Sequence, residues 1–196
     1  MKRSSWWSML GVAAFVVALP ARATLIDFFV NLNGLNEVPG NTSPGTGTAS
    51  LELDTVAQTL TGHIVFSGLT SPTVAAHIHC CLASPFGPGN VGVATVVPAF
   101  PGFPLGVTSG TDSFVLNLNN ASAYNPAFVT AQGSLATAEA NFIAGLETGR
   151  TYLNIHTMAN PGGEIRGFVV PEPMTVSLIL AGFAAAGLAS RRRKRT

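Results

Sequence analysis

What the chain is short of sets the first limits. Between Thr24 and Pro171 there is no lysine, and only Arg150 and Arg166 carry positive charge. Against them stand eight acids: Asp27, Glu37, Glu52, Asp54, Asp112, Glu139, Glu147 and Glu164. The whole-chain charge of +1 therefore conceals a central region of about −6, because the other basic residues crowd into the two ends. A nucleic-acid partner needs a basic footprint, and this region has none. A polyanionic polysaccharide is a poor partner for the same reason, whereas a metal cation suits the charge. Tryptophan is missing too, since Trp6 and Trp7 both lie near the N-terminus; the aromatic platforms of a glycosidase cleft are not there. Nor are G-x-S-x-G, HExxH or a P-loop. No catalytic residue is assigned, and the balance is against an enzyme.

The ends are different. The N-terminus begins with Lys2 and Arg3, continues with an apolar run from Trp6 to Leu19, and reaches Ala21-Arg22-Ala23. That order predicts a secretory signal peptide over 1–23, handled by the Sec translocon and cut after Ala23 by signal peptidase. The apolar run is short for a bilayer span. At the other end, Pro171-Glu172-Pro173 precedes an uncharged stretch, 174–190, and a basic tail, 191–196. The stretch predicts a C-terminal transmembrane helix, with the basic tail on the cytoplasmic side. Tripeptide, apolar span and arginine cluster together resemble the PEP-CTERM sorting signal of Gram-negative bacteria. The resemblance implies transient anchoring in the inner membrane, cleavage near the tripeptide by a membrane-embedded exosortase, and a final place in the cell envelope or outside the cell.

Residues 24–170 remain, enough for one domain with a sizeable core. The composition is rich in Gly, Pro, Thr, Ser and Asn, and short apolar stretches alternate with turn clusters. This predicts an all-β fold, an antiparallel sandwich or barrel. Candidate strands are LIDFFVNL, TASLELD, LTGHIVFSGL, TVAAHIH, SFVLNLN, RTYLNIHT and EIRGFVV. Breakers at 39–47, 84–90, 100–106 and 160–163 separate them. One segment, Ser134 to Leu146, has Leu135, Ala138, Phe142 and Leu146 at helical spacing and predicts a single inserted amphipathic helix.

Histidine and cysteine supply the candidate chemistry. In AHIHCC, His77 and His79 fall on one side of a strand while Ala76 and Ile78 take the other. In TYLNIHT, Tyr152, Asn154 and His156 share a side, opposite Leu153 and Ile155. Both segments read as an apolar side for the core and a His-bearing side away from it. If the strands are neighbours, three imidazoles converge, a set suited to Cu, Zn, Ni or non-haem Fe. The alternative is three polar groups on a half-exposed sheet. His63 has no second ligand nearby in sequence and reads as ordinary surface. Cys80 and Cys81 are the only cysteines. They allow a vicinal disulfide, a thiolate completing a soft metal site, or pairing between molecules, and spacing does not choose among these.

LNGLNEVP (32–39), AAHIH (75–79), YLNIHT (152–157) and NPGGEIRG (160–167), in that order, resemble the CHRD domain, a module named for chordin and widespread in bacterial secreted proteins. The resemblance implies an immunoglobulin-like β-sandwich and a non-catalytic extracellular or matrix role with an unidentified ligand. A more distant likeness, SGLTSPTVAAHIH and YLNIHT followed by NPGGEIRGFVV, is to copper–zinc superoxide dismutase. It implies His77, His79 and His156 as ligands of one copper or zinc ion. No histidine matches that family's bridging or zinc ligands, so a binuclear site is not implied. Glu164 stands about where that family has an arginine. With strand alternation Glu164 and Arg166 share a side, as an ion pair or as support behind the ligands.

Overall fold

The computed structural model describes residues 25–172. The expected signal peptide with Ala23, Pro173, the expected transmembrane helix over 174–190 and the basic tail lie outside the described residues. Among the described residues, no helix is long and apolar enough to cross a membrane.

All seven candidate segments form strands. β1 (Leu25–Asn33), β2 (Thr46–Asp54) and β3 (Thr59–Ser67) make an antiparallel meander, and β5 (Gly110–Asn117) pairs along β3. Their sequences alternate strictly: in β3, Leu60, Ile64 and Phe66 are buried while Thr61, His63 and Val65 face outward. That is the pattern of strands with one wet face. The second group comprises β4 (Thr73–Cys80), β6 (Thr151–Thr157), β7 (Ile165–Phe168) and the two-residue β8 (Val170–Pro171). Hydrogen bonding runs unbroken in the order β4-β6-β7-β1-β2-β3-β5, with β8 also on β1. The expected sandwich or barrel is thus one antiparallel sheet, curled into a half-barrel.

The concave side holds the core, with Val30, Leu32, Leu53, Ile64, Ile78 and Ile155 fully buried. Two helices close it, where one was expected. α2 (Leu135–Glu147) is the predicted one: the Ser134 hydroxyl accepts the Thr137 N–H at 3.1 Å, and Ala138, Phe142 and Leu146 are buried. α1 (Pro126–Gln132) was not foreseen. It has seven residues and buries only Phe128, too few for a visible apolar period. Its signals are local instead. The Asn125 side chain caps it, Pro126 starts it with a fixed φ, and Gly133 ends it at φ +83°.

The His-bearing side of β4 and β6 is not the half-exposed sheet of the alternative reading. Every residue of β6 is buried, and so are the last five of β4. Long connections fold back over this side: Asn36 and Asn41 donate to the carbonyls of Arg166 and Glu164 at 3.0 Å each, and the 90–100 segment, bridged to the edge of β4 at Ala76 and His79, brings the Val91 carbonyl to His79 and Tyr152.

Candidate metal centre

β4 and β6 are direct neighbours, with His79 opposite Tyr152, His77 opposite Asn154 and Ala75 opposite His156. His77 and His79 are therefore consecutive on one side, and His156 sits diagonally from His77, within reach of a long side chain. The ring centroids lie 4.6 Å apart for His77–His156, 4.8 Å for His77–His79 and 5.8 Å for His79–His156. One nitrogen from each falls within 4.8 Å of the others. Exposure is only 5%, 8% and 7% for His77, His79 and His156.

Hydrogen bonds orient two of the rings. Nδ1–H of His79 donates to the Val91 carbonyl at 2.7 Å, and Nδ1–H of His156 donates to the Pro161 carbonyl at 3.0 Å. A carbonyl can only accept, so Nδ1 carries a proton in both rings, and the neutral form of each has its lone pair on Nε2. Those two Nε2 atoms, and Nδ1 of His77, are buried without a partner. Burial pushes the pKa of His77 down to about 3, helped by the neighbouring imidazoles of His156 and His79. It pushes His79 down to about 4 against the opposing Val91 hydrogen bond. His156 is lowered by burial too, against the Pro161 hydrogen bond. All three are uncharged at neutral pH, the state in which imidazole ligates.

The Pro161 carbonyl is placed by the turn between β6 and β7. Gly163 has φ +130°, and a side chain there would collide with Asn154 and Glu37, so the turn depends on glycine. Alongside lies a further polar layer. The Tyr152 ring stacks on His79 at 4.5 Å, and the Arg166 guanidinium stands 3.4 Å from the Tyr152 ring centroid.

A family model for the CHRD domain matches residues 28–169, from within β1 to the residue that follows β7. The chain belongs to the CHRD-domain family. A PEP-CTERM protein-sorting motif matches residues 169–194. Exosortase is therefore its processing partner, and the CHRD protein is exported to the envelope or the cell exterior. No curated protein and no solved structure matches the chain.

The other sequence-derived site residues of the CHRD domain fall out as follows. Glu164 and Arg166 do not turn to one another. Glu164, fully buried, accepts from Ser43 Oγ at 2.6 Å, from the Thr70 N–H at 2.6 Å and from Thr157 Oγ1 at 2.5 Å. Arg166, equally buried, donates through Nη1 to the Gly89 carbonyl and to Asn90 Oδ1. Strand alternation put both on one side but could not show which loops would reach them first. Cys80 and Cys81 are bonded to each other, and in that form neither offers a thiolate. The pair packs on α2 at Gly145, where a Cβ would come within 2.7 Å of the Cys80 sulfur. Pro171 lies in β8 and Glu172 directly follows it. His63 is exposed, bonded to Ser113 Oγ at 2.9 Å.

Glu37 was not singled out as a site residue. Its carboxylate is buried beside Asn154, whose Nδ2 donates to it at 3.4 Å. Burial raises its pKa to about 7 despite the Arg166 charge and the Asn154 hydrogen bond. The only hint in the sequence was its place within LNGLNEVP.

Proposed function

We propose that the protein is a non-catalytic extracellular module, delivered by exosortase to the envelope or its surrounding matrix, that holds one copper or zinc ion at His77, His79 and His156. The observation that carries this reading is the cluster of three buried histidines, one nitrogen of each within 4.8 Å of the others, with each ring also holding a buried nitrogen that has no hydrogen-bond partner. A buried polar atom left unpaired is costly, and three buried imidazoles this close together suit a cation. Neutral imidazoles suit copper and zinc, with copper the tighter of the two at a nitrogen site. The Val91 and Pro161 carbonyls fix the rings from behind, the usual outer support of a ligating histidine. A bound ion would supply a cross-link between β4 and β6 and, if copper, a one-electron couple. The chain's own contribution is to hold three imidazoles together away from water, two of them oriented by backbone carbonyls.

The test is metal content of the mature domain purified from the periplasm and reconstituted with copper or zinc. About one ion per chain in the parent, and none in His77→Ala, supports the site. His63→Ala, on the exposed face, should retain the full complement. No metal in the reconstituted parent would sink the metal reading and leave a module that acts through its surface alone.

A further inference from the structure

The sorting motif begins inside the folded sheet. Its match starts at residue 169, where the domain match ends. Val169 is fully buried, and its N–H donates to the Thr151 carbonyl at 3.1 Å. β8 follows at once, with Val170 opposite Phe29 and Pro171 opposite Phe28 on β1. The Glu172 N–H then donates to the Asp27 carbonyl at 2.8 Å. This pairing keeps the register set by Arg166 of β7 opposite Asn33, so β7 and β8 are one run along β1. β6 flanks that run only as far as Val169, because β6 starts at Thr151. Beyond Val169, among the described residues, the chain is hydrogen-bonded on one side alone, to β1.

Two members of the tripeptide, Pro171 and Glu172, are therefore held by the domain's own first strand. A proteolytic site takes its substrate as an extended segment whose main chain pairs with the enzyme, and here that main chain already has a partner. The hold is slight. Val170 is 42% exposed, the pairing beyond Val169 spans only residues 170–172, and short one-sided edges open locally at little cost. Buried Val169 marks where such opening stops.

We propose that β8 is a latch on sorting: exosortase reaches the tripeptide only when residues 170–172 peel away from β1, and this opening limits processing of the folded domain. The bond broken near the tripeptide is a peptide C–N bond. The acyl side passes to water or to an amine, and the departing tail leaves with a free amino group. The latch controls access to that step and takes no part in it.

The test uses the full-length chain in an exosortase-competent host and follows precursor disappearance by pulse-chase. In Phe29→Cys/Val170→Cys, the two directly opposed Cα positions are within a disulfide's span, and neither side chain is buried, so the pair can staple β8 to β1. Cross-linking is confirmed by mass before and after reduction, with each single variant and the parent as controls. Processing of the stapled form should slow at least tenfold and recover on reduction. A four-residue Gly-Ser insertion between Val170 and Pro171 frees the tripeptide from β1 and should accelerate processing at least threefold. A parental rate in either variant overturns the latch. The inference rests on the exosortase reading, and the two fail differently: cleavage that persists in an exosortase-deficient host would remove the enzyme, whereas the latch is judged by relative rates in the competent one.

Discussion

In β3, His63 stands on the convex side of the sheet, exposed, with Ser113 as its neighbour. In β6, His156 also points away from the apolar core, yet it is 7% exposed and belongs to a cluster of unpaired nitrogens. Both strands place the histidine on the side opposite their apolar residues, so the strand does not decide the fate of its histidine. The connections do. β2 and β3 are joined by a four-residue turn, 55–58, and nothing long is left to fold over the meander. Around β4, β6 and β7 run the long segments 34–45 and 81–109 and the turn 158–164, which roof the outer side. One half of the sheet is therefore a scaffold with a wet face. The other half is buried on both faces, with its polar groups enclosed.

The difference should be largest in its response to acid. In the metal-free protein His77, His79 and His156 have folded-state pKa values pushed below the ordinary value by burial, to about 3 and about 4 for the first two. Below pH 6.5 the unfolded chain therefore takes up protons that the folded chain refuses, and stability falls as pH drops through that window. Glu37 works in the opposite sense: its raised pKa makes the folded state the better proton binder between about 4.5 and about 7. Three groups against one should leave a net loss of a few kcal/mol on going from pH 7 to pH 4. Urea melts of the metal-free domain across that range check it; flat or rising stability toward pH 4 would contradict the buried, uncharged trio.

Next in size is Glu164→Ala. The carboxylate ties Ser43, Thr70 and Thr157 together. Burial works against its charge, but those hydrogen bonds outweigh it and hold the pKa below the ordinary carboxylate range. Truncation should cost about 3 kcal/mol in chemical denaturation, because hydrogen bonds to a charged group are lost and their donors stay behind. The smallest contrast compares one outward position in each half. Asn154→Ala should cost about 1–3 kcal/mol, since its partner Glu37 is left buried. Thr61→Ala, outward and exposed on β3, should stay within about 0.5 kcal/mol of the parent. Equal values would erase the distinction between the two halves.

Period-two alternation made the seven strands legible, because each has one apolar side and the breakers between them are strong. It also placed His77 with His79, and Tyr152 and Asn154 with His156, on common sides. Two kinds of information were out of its reach. Pairing of β4 with β6 joins residues some eighty positions apart, and no local pattern announces it. The roof over the histidines is longer-range still: Val91 and Pro161 act through main-chain carbonyls, which any residue type could provide. Glu164 and Arg166 show the same limit. Their common side was readable, but Ser43 and Asn90, which claim them, come from loops whose paths only the folded chain reveals. α1 escaped because a seven-residue helix with one buried side chain has no period to detect.

The meeting of Glu172 with Asp27 brings the two ends of the described chain to one place. During synthesis β1 is among the first segments to emerge and β8 the last before the tail. Hairpins β1–β2 and β2–β3 need only near neighbours and can form early, but β1 keeps one edge unpaired until β7 and β8 arrive. For most of its passage the growing chain therefore carries an open sheet edge, the kind that joins other chains. Completion of that edge waits on residues 165–172, the last of the described chain.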